Sequence, residues 1–192
     1  LERKKGQRDQ VLKSLEVCEQ DLRKWRRQAM YAEEAQLIIQ TVAQQTQQQL
    51  KYHISELVTL ALASVFEDPY EFEPEFVQRR GRTECDMWFV RNGVRIDPMD
   101  SSGGGAVDVA AFALQVALWS IGNPRARNVL IQDEPLKWLK GGDLPEKGAR
   151  MIKEISTRLY LQIIMVSHIP DQIEGADKVI NVKLKQGKSV VQ

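Results

Sequence analysis

Three short stretches of this chain combine residue types suited to a phosphate and a cation. The run Val129-Leu130-Ile131-Gln132 ends in Asp133-Glu134. Two adjacent carboxylates at a strand end repel each other unless a cation or a proton compensates, so the pair suits a cation site. The run Leu161-Gln162-Ile163-Ile164-Met165-Val166 ends in Ser167-His168. An imidazole there can donate a hydrogen bond to a phosphate oxygen. The third stretch, Asp100-Ser101-Ser102-Gly103-Gly104-Gly105, leads directly into an apolar run. Consecutive glycines let backbone N–H groups come close to an anion, and the start of a following helix adds its positive dipole end.

Each stretch also has a plainer reading: a solvated acidic turn, a core or loop histidine, and a Ser/Gly linker. Against the linker stands Val107-Asp108-Val109-Ala110-Ala111-Phe112-Ala113-Leu114, which is too apolar to follow a flexible tether. Their order along the chain ties the three together, and the elements between them explain how they could meet.

Strands are expected over 128–132 and 161–166, separated by a helix over 146–159, and a mostly buried helix over 106–121 precedes them. Strand, helix, strand with short loops predicts a parallel sheet, with the polar pairs at the carboxyl ends of its strands. Upstream, residues 70–76 and 85–90 alternate or bunch as strands do, and Asn92-Gly93 marks a tight turn before Arg95-Ile96-Asp97. Downstream, 178–184 and 189–191 read as short strands joined across Gln186-Gly187.

Between Gly6 and Pro69 there is neither glycine nor proline, which predicts one long helix. Val11, Leu15, Cys18, Leu22, Trp25, Ala29 and Ala32 recur at spacings of three and four, the seam of a coiled coil. Beyond about Leu50 the stripe widens through His53, Ile54, Leu57, Val58, Leu60, Ala61 and Leu62, where the helix enters a core. The expected organisation is a coiled-coil arm over 1–62 and an α/β lobe over 63–192.

Ser102-Gly103-Gly104, then Asp133-Glu134, then His168, behind a long heptad helix, resembles the C-terminal head lobe of the coiled-coil ABC ATPases. That group holds the SMC proteins and the nuclease-partnered repair ATPases of SbcC type. The likeness runs from about Asp97 to the end, and the segment 128–168 is closest to phage-like and bacterial repair members. It implies an α/β lobe with a small antiparallel element. Asp133 would hold the Mg²⁺ of ATP through water, Glu134 would polarise the attacking water, and His168 would reach the γ-phosphate. Ser102, Gly103 and Gly104 would complete the ATP site of a second head in trans. Two departures stand out. Leu139 is followed by Lys140-Gly141-Gly142-Asp143 instead of by Asp, and Gly105 stands where the family's signature usually has Gln or Glu.

No GxxxxGK[ST] loop is present; Gly187-Lys188-Ser189 imitates its end, but Val182 sits where the first glycine belongs. The resemblance places that loop in an N-terminal lobe ahead of the coiled coil, so this chain would be one arm and one lobe of a split head. The chain lacks an initiator methionine and starts within the helical pattern, which reads as a fragment.

The net charge of +1, from 27 basic and 26 acidic residues, provides no global field for nucleic acid or an anionic membrane. Contact with double-stranded DNA would have to be local, and Arg79, Arg80 and Arg82 on an expected loop are the candidates. The basic run Arg23-Lys24 and Arg26-Arg27 is offset by Glu33-Glu34. Cys18 and Cys85 lie far apart with no CxxC, which argues against a disulfide framework or a zinc site and fits a reducing cytoplasm. No run was expected to approach bilayer-spanning length, so no membrane partner is anticipated.

The expected function is that of an ATPase subunit in DNA double-strand-break repair. Its heads dimerise on ATP and regulate a metallophosphoesterase-type nuclease in a bacterial nucleoid or phage-infected cell. The alternative is an SMC-like chromosome organiser without a nuclease.

Overall fold

The computed structural model describes residues 2–192 apart from Ser102, Arg125, Glu174 and the side chain of Ser101. Helix α1 runs Glu2–Val65. The chain divides into two compact units, Leu1–Gln48 and Gln49–Gln192.

The first unit is the long N-terminal part of α1. The seam residues Val11, Leu15, Leu22 and Trp25 are all more than half-exposed or at that limit, from 50% to 67%. A single helix with a bare apolar stripe of this kind lacks the partner a coiled coil needs.

The second unit begins with the root of α1, where Ile54, Val58, Ala61, Leu62 and Val65 are buried at helical spacing. Strands β1 Glu71–Arg79, β2 Arg82–Arg91 and β3 Val94–Ile96 follow as an antiparallel sheet in that order. Phe72 faces Phe89 across β1 and β2, and both are buried. The outer edge of β1 finds its partners on α1. Ser55 Oγ donates to the Phe72 carbonyl at 2.5 Å, and the Phe72 N–H donates to Thr59 Oγ1 at 2.9 Å. Two helix hydroxyls thus satisfy backbone groups that an open sheet edge would leave exposed.

Both hairpins of this sheet turn on two residues with positive φ: Arg80 and Gly81 at +51° and +74°, Asn92 and Gly93 at +52° and +75°. The second was legible as Asn-Gly. The first replaces the expected loop at Arg79–Arg82 with a strand pair and a tight turn, Arg79 facing Arg82 in the ladder.

A short helix α2, Pro98–Ser101, leads to α3, Gly104–Ile121. Helix α3 buries Ala106, Val109, Ala110, Phe112, Ala113, Val116 and Ala117. It also corrects the expectation that no segment is long and apolar enough to span a bilayer, because its 18 residues meet that test by length and composition. Its buried face joins the same hydrophobic cluster as α1, β1 and β2, the placement of a core helix.

The parallel pair is β4 Val129–Asp133 and β5 Gln162–Val166, in register from Val129 with Gln162 to Asp133 with Val166. Between them runs α4, Leu144–Leu159, capped at its end by Tyr160 in the left-handed conformation. The short helix α5, Pro170–Ile173, precedes the hairpin β6 Val182–Lys185 and β7 Lys188–Val191. Leu130, Ile163 and Met165 pack on the core cluster, while on the opposite face Ile131 is 73% and Val166 61% exposed. Parallel sheets are ordinarily covered on both faces, so this one has a bare apolar side.

Leu62 is fully buried at the centre of the cluster. Leu62→Ala should therefore destabilise the second unit by roughly 2–5 kcal/mol in urea unfolding, since it removes burial and leaves a cavity. A cost below about 0.5 kcal/mol, the range of ordinary surface substitutions, would contradict the placement of the α1 root in the core.

Candidate functional site

The parallel strands end level with each other, and the ladder continues one step past Asp133. There the N–H of Glu134 donates to the Val166 carbonyl at 2.9 Å. That bond holds Glu134 in a left-handed backbone conformation, φ +47°. Its carboxylate meets His168, with Oε1 3.0 Å from Nδ1. A carboxylate oxygen only accepts, so Nδ1 is the donor and Nε2 is left for another partner. The structure thus joins two residues 34 positions apart that the sequence singled out separately. Side-chain exposures are 42% for Glu134 and 72% for His168. Pairs this open contribute about 0–1 kcal/mol, so the contact is poorly explained as a stabilising device. Asp133 is exposed beside them, and its side chain has no hydrogen-bond or ion-pair partner among the described residues.

The backbone leaves β4 under constraint. Non-glycine residues with positive φ are uncommon and cluster at functional sites, and Leu136 at φ +60° is a second one within three residues. The turn it makes is buried: Leu136 and Leu139 are each 1% exposed, and the Leu139 N–H donates to the Leu136 carbonyl at 3.0 Å. Next to them, Trp138 donates its N–H to Asp108 Oδ2 on α3 at 2.8 Å. The indole is 58% exposed, with the ammonium groups of Lys137 and Lys140 within 5.7 and 5.3 Å of its ring centre.

This turn presses on the glycines at the start of α3. A β-carbon on Gly104 would lie 3.1 Å from Trp138 Cβ. One on Gly105 would lie 3.1 Å from Leu139 Cδ1 and 3.2 Å from the Trp138 carbonyl oxygen. Gly105 is therefore glycine because the post-β4 turn occupies the space of a side chain. Gly103 is the N-cap of α3, and its carbonyl accepts the Ala106 N–H at 2.9 Å. Ser102, the residue expected to act in trans, lies outside the described residues. Gly141 and Gly142, at φ +95° and +54°, then turn the chain into α4.

The arginine candidates sit elsewhere, at the tip of the β1–β2 hairpin. Arg79 grips Asp86 with two hydrogen bonds of 2.7 and 2.6 Å and reaches Glu84 at 3.2 Å. Its guanidinium holds the Asp86 carboxyl below the usual carboxylate range, so its charge is already engaged. Arg80 and Arg82 have no ion-pair partner among the described residues. No hydrogen bond or ion pair among those residues links the tip to Glu134 and His168.

Asp133 could hold a hard cation such as Mg²⁺ through water. The described residues contain no group of three or more acidic, histidine or cysteine side chains fit to cage a metal. Further ligands would have to come from phosphate oxygens, water or another polypeptide.

Sequence reasoning missed the residues that brace the site: Asp108, Gly148 and Gln172. Asp108 had a signal, being a single acid inside an apolar helical run. The other two carried none.

No protein-family model and no curated protein sequence matches this chain. Solved structures do. A structure from work on the structural biochemistry of ATP-driven dimerization and DNA-stimulated activation of SMC ATPases matches at TM-score 0.56 and 18% identity, covering 77% of this chain and 87% of that one. An SMC head domain from Thermotoga maritima matches at TM-score 0.53 and 20% identity, over 73% of this chain and 46% of that one. An SMC head bound to the C-terminal winged-helix domain of ScpA matches at TM-score 0.59 and 19% identity, over 74% of this chain and 42% of that one. The chain thus spans less than half of the latter two heads. At these identities the fold is what is shared: the chain resembles the C-terminal lobe of SMC head domains, preceded by a long helix.

Gly105→Ala should lower stability by about 1–3 kcal/mol in urea unfolding, although alanine is the better helix former. A stabilised variant would mean that the turn does not crowd α3.

Proposed function

We propose that residues 63–192 are the C-terminal half of an ATP-hydrolysing head, and residues 1–62 its coiled-coil arm. The reading rests on the Glu134–His168 contact at the level ends of two parallel strands. Open α/β sheets place their chemistry at such strand ends. In this reading Asp133 holds Mg²⁺ through water. Glu134 accepts a proton from the water that attacks the γ-phosphate, and His168 Nε2 donates a hydrogen bond to a γ-phosphate oxygen. A cation held at Asp133 would offset charge on the phosphates. By the resemblance, Ser102, Gly103 and Gly104 would complete the ATP site of a second head, so that two heads would close on two ATP molecules.

The missing phosphate-binding lobe has a place to sit. Val129, Ile131, Ile164 and Val166 form the exposed apolar face of β4 and β5, and covering it is what a parallel sheet requires. The bare seam of α1 likewise calls for a returning arm. We assign the whole assembly to DNA double-strand-break repair, in which ATP-driven closure of the heads regulates a metallophosphoesterase-type nuclease on double-stranded DNA ends. Arg80 and Arg82 are the better placed of the hairpin arginines for a phosphate, because Arg79 is already paired.

A second reading is favoured by the structural neighbours, one of which is an SMC head bound to a ScpA domain. In it the head is a chromosome organiser that closes on a bridging subunit. Co-purification separates the two: a bound metallophosphoesterase supports repair, a ScpA-like subunit supports organisation.

When the chain is joined to its N-terminal lobe, Glu134→Gln should lower the ATP turnover rate by roughly 10²–10⁴-fold, the usual span for loss of a general base. Equal turnover by the variant and the wild type would remove Glu134 from that role.

A further inference from the structure

We propose that Gln172 is a positioning residue that sets the Glu134–His168 pair, an inference that rests on the ATPase reading given above. Gln172 is 1% exposed and is the buried polar side chain of the core among the described residues. Its amide makes two hydrogen bonds in opposite senses. Nε2 donates to the Leu136 carbonyl at 3.1 Å, and Oε1 accepts from Ser167 Oγ at 2.8 Å. Ser167 Oγ in turn accepts the N–H of Ile169 at 3.1 Å. The two partners flank the chemistry closely: Leu136 is two residues after Glu134, and Ser167 is the residue before His168. One planar amide therefore ties the turn leaving β4 to the turn leaving β5.

The Leu136 carbonyl belongs to the left-handed part of the post-β4 turn. A backbone held in that conformation relaxes when its anchors are removed. The Leu136 carbonyl accepts two donors, the Leu139 N–H at 3.0 Å from within the turn and the Gln172 amide at 3.1 Å, and of these it is Gln172 that reaches it from the β5 side. Ser167 fixes the start of the His168 loop through the same amide. Only a side chain with a donor and an acceptor at this length satisfies both groups. Leucine has neither, and an ionised glutamate can only accept. A protonated glutamate has both, and burial favours that neutral form. That chemistry separates positioning from simple filling of the core.

The experiment uses the chain joined to its N-terminal lobe, as wild type, Gln172→Leu, Gln172→Glu and Glu134→Gln. Gln172→Leu should lower kcat by about tenfold or more, because small misplacements of reacting groups are costly to rate. KM for ATP should stay within about twofold, since the nucleotide's own contacts remain. Gln172→Glu should turn over ATP near the wild-type rate at about pH 6 and fall relative to wild type as its carboxyl ionises toward about pH 9. Crystal structures of the variants provide a readout that does not need activity: the Glu134–His168 contact should be lost in Gln172→Leu and kept in wild type. If Gln172→Leu keeps the 3.0 Å contact, or if the ratio of Gln172→Glu to wild type is flat with pH, the proposal is overturned. Failure of the ATPase reading looks different: Glu134→Gln then equals wild type, while the crystal structures still decide whether Gln172 sets the pair.

Discussion

The second unit depends on one crowded place, where the turn after β4 is pressed between the start of α3, the second turn of α4 and the side chain of Gln172. A β-carbon on Gly148 would lie 2.7 Å from Leu139 Cδ2 and 2.8 Å from Leu136 Cδ1. Those two leucines are fully buried, so α4 can approach only because Gly148 offers no side chain. Gly104 and Gly105 make the same concession on α3. Three helix glycines, each a poor helix former by intrinsic propensity, therefore sit where a single hydrophobic turn must be enclosed. The same turn carries Glu134 on its rising limb. Packing at Leu136 and Leu139 and the position of Glu134 are thus consequences of one backbone path.

This crowding connects the two departures from the signature of the coiled-coil ABC ATPases. The loop after β4 reads Leu139-Lys140-Gly141-Gly142-Asp143, and the signature glycines are extended by Gly105. Trp138 and Leu139 lean onto α3 at the position of Gly105, so a side chain there would have to push this loop aside by a few tenths of an ångström or more. Lys140 flanks the exposed Trp138 ring together with Lys137. The result is an exposed aromatic surface between two cations.

Much of this was legible from periodicity and turn chemistry. The long helix, the parallel pair with its intervening helix, and the hairpins at Asn92-Gly93 and Gln186-Gly187 follow from glycine and proline placement and from the apolar runs. The polar residues at the two strand ends were recognisable by position. Their mutual contact was not, because it depends on the left-handed turn at Glu134, a residue type that gives no hint of such a conformation. The β1–β2 hairpin was underestimated for a related reason: Arg80 occupies the first positive-φ position of the turn, where Asn or Asp would have signalled it. Three arginines near one turn read as a solvated loop, when Arg79 and Arg82 pair in a ladder, Arg79 is also bound to Asp86, and Arg80 makes the turn itself. Gln172 was invisible because burial of a glutamine is set by tertiary contacts alone.

The energetic layout of the site follows from where its groups are buried. Glu134 and His168 meet in the open, where an ion pair or hydrogen bond exchanges with water at little net gain. Their anchors are buried, and there an unsatisfied carbonyl or amide costs about 1–3 kcal/mol. The backbone under each residue is therefore held much more firmly than the contact between their side chains. A phosphate oxygen or a water molecule could take the place of either side-chain partner without disturbing the frame beneath. A rigid base with a weakly held pair on top can release both groups toward an incoming ligand and reset once it leaves. Had the contact itself been buried, opening it would have exposed an uncompensated charge and opposed ligand entry.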